Sequence, residues 1–182
     1  MKFFKKSLGQ NFLIEKNIVK KIVNLAYINK KNVLEIGPGK GFLTDEILKK
    51  KPKKLILIEK DYNLAKYLKE KYSAVKTVTV INSDILKFNL SSLLKRKLSI
   101  LGNLPYNISS QILIKILKEE RIMNNLDNLI FMFQKELGEK IISKFPSKHY
   151  GRLAIITSFK LKIIKKFLVS PNCFFPKPKV TS

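Results

Sequence analysis

The sequence predicts an α/β domain built on a parallel sheet with helices on both of its faces. Three observations carry that prediction. Short apolar runs of strand length alternate with segments whose apolar residues recur at helical spacing, the pattern that repeated βα units produce. The chain has 182 residues, close to the prior of roughly 150 per domain and long enough to bury a core. The residues with unusual backbone or side-chain chemistry fall at the carboxyl ends of the candidate strands, where open parallel sheets hold their ligands.

The elements follow in order. Residues 15 to 28 read as an amphipathic helix, with Ile18, Val19, Ile22, Val23 and Ala26 on one face. Residues 33 to 36 form a first buried strand that stops at Gly37, and a helix runs from Phe42 to Lys50. Residues 55 to 59 are the second strand, 64 to 72 a helix, 78 to 82 the third strand and 98 to 102 the fourth. A helix over 110 to 118 precedes a fifth strand over 129 to 133, helices follow over 137 to 144 and 151 to 159, and 162 to 169 is read as a sixth strand. No internal repeat and no Gly- or Ser-rich linker divides the chain, so residues 1 to 182 are read as one domain with an N-terminal arm over about residues 1 to 14.

Composition excludes several classes. With 45% hydrophobic residues, 7 Gly and 7 Pro, and a mean hydropathy of -0.05, the chain is neither disordered nor fibrous. Lys and Arg number 37 against 13 Asp and Glu, a net charge of +24. Such a surface calls for a polyanionic partner, nucleic acid first and acidic lipid second. Only Arg96, Arg121 and Arg152 are arginines, and the wealth of Lys, Ile and Asn fits an AT-rich genome, so about half of the excess is set aside as background. Cys173 is the sole cysteine, which rules out an intrachain disulfide or a cysteine-cluster metal site, and no metal is expected. Neither a membrane-spanning run nor a signal peptide is visible, so a cytoplasmic location and no membrane partner are expected.

Glu35-Ile36-Gly37-Pro38-Gly39-Lys40-Gly41 is a glycine-rich turn between a strand and a helix. Glycines there admit positive φ and let backbone approach a ligand closely. Phe42 stands where a third glycine would complete a dinucleotide fingerprint, which argues against NAD and toward a ligand without a pyrophosphate, such as S-adenosylmethionine. A tight turn without any ligand is the plain alternative. Glu59 lies 22 positions after Gly37 at a strand end, placed to accept both hydroxyls of a ribose; a solvated charge beside Lys60 and Asp61 is the bland reading. Asp84 could accept the adenine amino hydrogen while the Ile85 amide meets the ring, or it could simply cap a turn.

Asn103-Leu104-Pro105-Tyr106 is the most specific element. An N-L-P-Y tetrapeptide after the fourth strand marks enzymes that methylate an exocyclic amino nitrogen. It is joined by residues 6 to 13 (KSLGQNFL), the E-I-G-P-G-x-G turn, Glu59-Lys60-Asp61, residues 147 to 153 (SKHYGRL) and residues 174 to 180 (FFPKPKV). Together these resemble the small-subunit ribosomal RNA adenine N6,N6-dimethyltransferase family, KsgA in bacteria, which is related to the Erm methyltransferases. The resemblance implies a Rossmann-like class I S-adenosylmethionine-dependent methyltransferase fold. It also implies that Gln10, Asn11 and Leu13, with Gly37, Gly39 and Gly41, hold the methionine end of S-adenosylmethionine, that Glu59 holds its ribose, and that Asp84 and Ile85 hold its adenine. Asn103, also near the cofactor, and the Leu104 carbonyl would then accept the two N6 hydrogens of the target adenine. Pro105 would fix the turn, and Tyr106 and Phe174 would stack on the base.

His149 is read as a surface histidine, Cys173 as an inert thiol, the lysine runs at 49 to 51 and 53 to 54 as solvated turns before RNA contacts, and Phe3 and Phe4 as core or a flexible arm. Glu15 and Lys40 depart mildly from the family pattern. The family's last strand and C-terminal helical domain have no counterpart before Ser182, so a sheet gap, marginal stability and a tendency to associate are expected, although the working unit is expected to be a monomer. The implied activity is N6,N6-dimethylation of adenines near the 3′ end of small-subunit rRNA during ribosome biogenesis. The rivals are an Erm-type methyltransferase of large-subunit rRNA, a non-enzymatic RNA-binding assembly factor and, more weakly, a DNA adenine methyltransferase.

Overall fold

Alternation of side chains along the central strands decides the architecture. In the computed structural model, which describes residues 11–93, 97–178 and 180–182, strand β3 (Lys54–Glu59) sends Leu55 and Leu57 into one apolar cluster and Ile56 and Ile58 into another. Strand β2 (Asn32–Ile36) divides in the same way, with Val33 on the first side and Leu34 and Ile36 on the second. A strand apolar on both faces must be covered on both faces, which is the situation of a parallel sheet between helical layers.

The main sheet has five strands in the order β4-β3-β2-β5-β6, with β4 Val78–Asn82, β5 Leu98–Asn103 and β6 Leu126–Met132. Every pairing in it is parallel. One face is covered by α1 (Lys16–Val23), α2 (Phe42–Lys49) and α3 (Tyr62–Lys71), through Val19, Ile22, Val23, Leu43, Ile47 and Leu68. The other is covered by α4 (Ser109–Lys118) and the short α5 (Glu120–Met123), through Ile112, Ile116 and Ile122. Helices α6 (Lys135–Ile142) and α7 (Arg152–Lys160) pack on the outer side of α4 around Leu113, Leu117 and Ile141.

Two features differ from the sequence expectation. Residues 162 to 169 form no strand ladder; only Val169 pairs, exchanging backbone bonds with Ser182 at 2.7 and 3.2 Å. A strand needs a neighbour as well as a pattern, and β6 is the edge of the sheet on that side. The expected arm is tied down at its end: β1 (Phe12–Leu13) pairs antiparallel with β7 (Phe174–Phe175). Gln10, Phe3 and Phe4 lie outside the described residues. Among the described residues no helix is long and apolar enough to cross a membrane.

Candidate active site

The chain leaves β2 toward β3 on one side of the sheet and returns as β5 on the other, so the carboxyl ends of β2 and β5 flank the point where strand order reverses. A crevice opens there by construction. It is lined by Asn11 and Phe12 from the β1 segment, Ile36, Gly37 and Gly39 after β2, Ile58, Glu59 and Lys60 at the end of β3, Ser83, Asp84 and Ile85 after β4, and residues 103 to 108 after β5.

The glycine turn is shaped by what touches it. Gly39 has φ +59, and a Cβ there would lie 2.7 Å from the Phe12 ring; the backbone therefore passes directly under that ring. Its amide donates to Glu59 Oε2 at 3.1 Å. Glu59 Oε1 accepts from the Asp61 amide at 2.9 Å, so the carboxylate is fixed by backbone amides and keeps acceptor capacity for a further donor. Glu59 is 6% exposed, and burial raises its pKa against the opposing effect of those amide bonds. A buried carboxylate aimed into a crevice beside close-approaching backbone suits a vicinal diol.

Asp84 does two things at once. Its Oδ1 accepts from the Leu86 amide at 2.9 Å, the turn-capping geometry of the bland reading, and its Oδ2 pairs with Lys60 Nζ at 2.9 Å. The Lys60 ammonium holds the Asp84 carboxyl below its usual range. Ile85 presents a buried apolar side chain beside it.

Asn103 is oriented by a neighbour that can only accept. Its Nδ2 donates to the Asn11 carbonyl at 2.7 Å, which fixes the amide and leaves Oδ1 as an acceptor. Register places Gly102 opposite Ile36, and a Cβ on Gly102 would lie 2.9 Å from the Ile36 carbonyl and 2.8 Å from Leu104 Cδ2. That close approach, which the sequence reading did not single out, seats the tetrapeptide against β2. Tyr106 shares a hydroxyl hydrogen bond with Ser182, and burial raises its pKa.

Three expected site residues are elsewhere. Leu13 and Phe174 face each other across the β1–β7 ladder and are buried in the core on the α1 side, because pairing turns both side chains inward; Phe174 is 3% exposed and does not line the crevice. Gly41 (φ +82) caps α2 and abuts the Tyr72 hydroxyl. His149 and Cys173 also stand apart from the crevice. The sequence reading missed Phe12 and Tyr72, whose contacts with Gly39 and Asp45 are made over long separations, and the buried Glu35–Thr44 pair nine residues apart.

Residues 1–182 match the family model of ribosomal RNA adenine dimethylases. The chain belongs to that family. It is 51% identical over 178 residues to the ribosomal RNA small subunit methyltransferase A of Pelagibacter ubique, covering 98% of this chain and 67% of that protein. Among solved structures it is similar to a dimethyladenosine transferase from Plasmodium falciparum, with a TM-score of 0.82, 30% identity and coverage of 93% of this chain and 60% of that one. It is also similar to the 23S rRNA methyltransferase ErmE, with a TM-score of 0.75, 27% identity and coverage of 93% and 66%. The chain thus spans 60 to 67% of the length of these relatives.

Proposed function

We propose that the chain dimethylates adenine N6 in small-subunit ribosomal RNA, with S-adenosylmethionine as methyl donor. The observation that carries this reading is the fixed Asn103 amide, whose free Oδ1 shares one crevice with the buried Glu59 carboxylate. The 51% identity to a small-subunit enzyme favours that subunit over the large one.

The residues present fit the donor. Gly37 and Gly39 bring backbone to the crevice wall beside Phe12 and Asn11, Glu59 offers acceptors for ribose hydroxyls, and Ile85 offers an apolar face for a purine. When bound, S-adenosylmethionine supplies a methyl group on a sulfonium, a leaving group that needs no protonation. The protein's own task is positioning.

Adenine N6 is a poor nucleophile because its lone pair is delocalised into the ring. Asn103 Oδ1 and the Leu104 carbonyl accept its two hydrogens and draw the nitrogen toward a pyramidal, reactive state. Pro105 fixes φ in that turn, and Tyr106 stacks on the extruded base, contributing about 1 to 3 kcal/mol. With Phe174 held in the core, Tyr106 alone of the two expected aromatics meets the base without a rearrangement of β7. The enzyme works in the cytoplasm as a monomer on its ribosomal substrate.

Nucleoside mass spectrometry of unmethylated small and large subunits, incubated separately with S-adenosylmethionine, tests this. N6,N6-dimethyladenosine is expected only in the small subunit and is lost with Asn103→Ala. Product in the large subunit alone would transfer the assignment there, and cofactor binding without any product would make the chain a binding factor.

A further inference from the structure

At the opposite end of the sheet, the amino ends of four adjacent strands border a second, shallow and widely open hollow of about 460 Å³. Its wall consists of Lys30, Lys31 and Asn32 entering β2, Lys53 before β3, Lys97 before β5 and Asn125 before β6. Every lining residue is lysine or asparagine.

The turns that carry these side chains are fastened to one another. The Lys30 amide donates to the Lys51 carbonyl at 3.0 Å, the Lys53 amide to the Lys31 carbonyl at 2.8 Å, and the Leu98 amide to the Asn125 carbonyl at 2.8 Å. Asn32 Nδ2 reaches the Lys97 carbonyl at 3.2 Å. Lys30 and Lys51 have φ of 56 and 52, left-handed conformations that glycine or asparagine would adopt with less strain. The strain is accepted at lysines, and Lys30 lines the hollow. Asp127 is the carboxylate that answers this cluster, 3.6 Å from Lys31 and 3.8 Å from Lys97; four ammonium groups against one carboxylate leave a surplus of three positive charges in a concave frame.

We propose that this hollow is a phosphate-binding site for the backbone of the ribosomal RNA substrate, a second grip remote from the methylation crevice. This rests on the rRNA reading above. Lysine ammonium groups neutralise phosphates without regard to sequence, and asparagine amides donate to phosphate and sugar oxygens. The wall carries only lysine and asparagine side chains, with no aliphatic or aromatic one to enter a bilayer, which favours a phosphodiester over a lipid surface. Asn32 and Ile36, on the hollow and the crevice respectively, are separated by about 13 Å of strand β2, so the site would hold a stretch of RNA backbone distinct from the nucleotide that presents the target adenine.

The test compares two double variants that remove equal charge: Lys53→Ala with Lys97→Ala in the hollow, and Lys66→Ala with Lys69→Ala on the exposed face of α3. All four side chains are exposed, and circular dichroism verifies folding. Binding of each to unmethylated small-subunit rRNA is measured from 50 to 300 mM salt. The hollow pair is expected to reduce the slope of log affinity against log salt by about 1.4 to 1.8, at roughly 0.7 to 0.9 per phosphate contact, and the α3 pair to change it far less. Equal losses in the two variants would overturn the proposal, as would a hollow-dependent loss of binding to phosphatidylglycerol vesicles with none to RNA. Wild-type binding without methylation, with the slope difference intact, would instead sink the proposed activity alone.

Discussion

Glu35 is the penultimate residue of β2, two positions before Gly37, and is 1% exposed. Its charge has no cation at contact distance among the described residues; Thr44 Oγ1 donates to Oε2 at 2.7 Å, and Asp45 and Glu59 lie close enough to oppose ionisation. Burial is the main cause that pushes its pKa up to about 8. A carboxyl that holds its proton in the folded state and releases it near 4.3 when unfolded makes stability fall as pH rises through that interval, by at most about 1.4 kcal/mol per pH unit. Replacing Glu35→Gln keeps an acceptor for Thr44 and removes the titration. Urea unfolding between pH 5 and 8 is therefore expected to show the wild type losing stability relative to the variant, and parallel curves would refute the account.

The glycine turn is held from behind by helix α3. Tyr72 Oη donates to Asp45 Oδ1 at 2.7 Å with the Gly41 carbonyl 3.2 Å away, and Lys71 Nζ meets Asp45 Oδ2 at 2.7 Å. Tyr72→Phe leaves the ring in the core and removes the tie, so a loss of about 1 to 2 kcal/mol and weaker binding of S-adenosylmethionine are expected by calorimetry; an unchanged cofactor affinity would show that the turn holds itself. None of this could be read from the sequence, because Tyr72 and Asp45 are 27 positions apart and nothing local announces their meeting. The five central strands were legible because each carries its own two-faced apolar run, and the crevice was legible because strand ends and special residues coincide. Residues 162 to 169 misled because their apolar pattern suits a strand that finds no partner. Leu13 and Phe174 misled because their motif positions say nothing of the ladder that turns them inward.

At the scale of the molecule, the crevice and the lysine hollow occupy opposite ends of one sheet, while several large apolar side chains are exposed elsewhere on the surface. Phe159 is 82% and Ile164 83% exposed, and Phe145, Leu168 and Phe175 are exposed as well. Exposed apolar surface favours association, and a net charge of +24 opposes it over a distance that salt shortens. Sedimentation velocity of the free protein is accordingly expected to show self-association growing between 50 and 500 mM salt, and Phe159→Ser with Ile164→Ser to suppress it; association that weakens with salt would assign it to charge pairing instead. The β1–β7 ladder has a different consequence. Ile14 and Glu15 both donate to the Cys173 carbonyl, at 2.9 and 3.3 Å, so the intervening chain is drawn into a ring that closes at the backbone of the one cysteine. When the fold is lost, that closure opens from contact to a coil span of about 70 Å. A fluorophore on Cys173 with an acceptor at position 14 would therefore act as a ruler for the integrity of the entire ring.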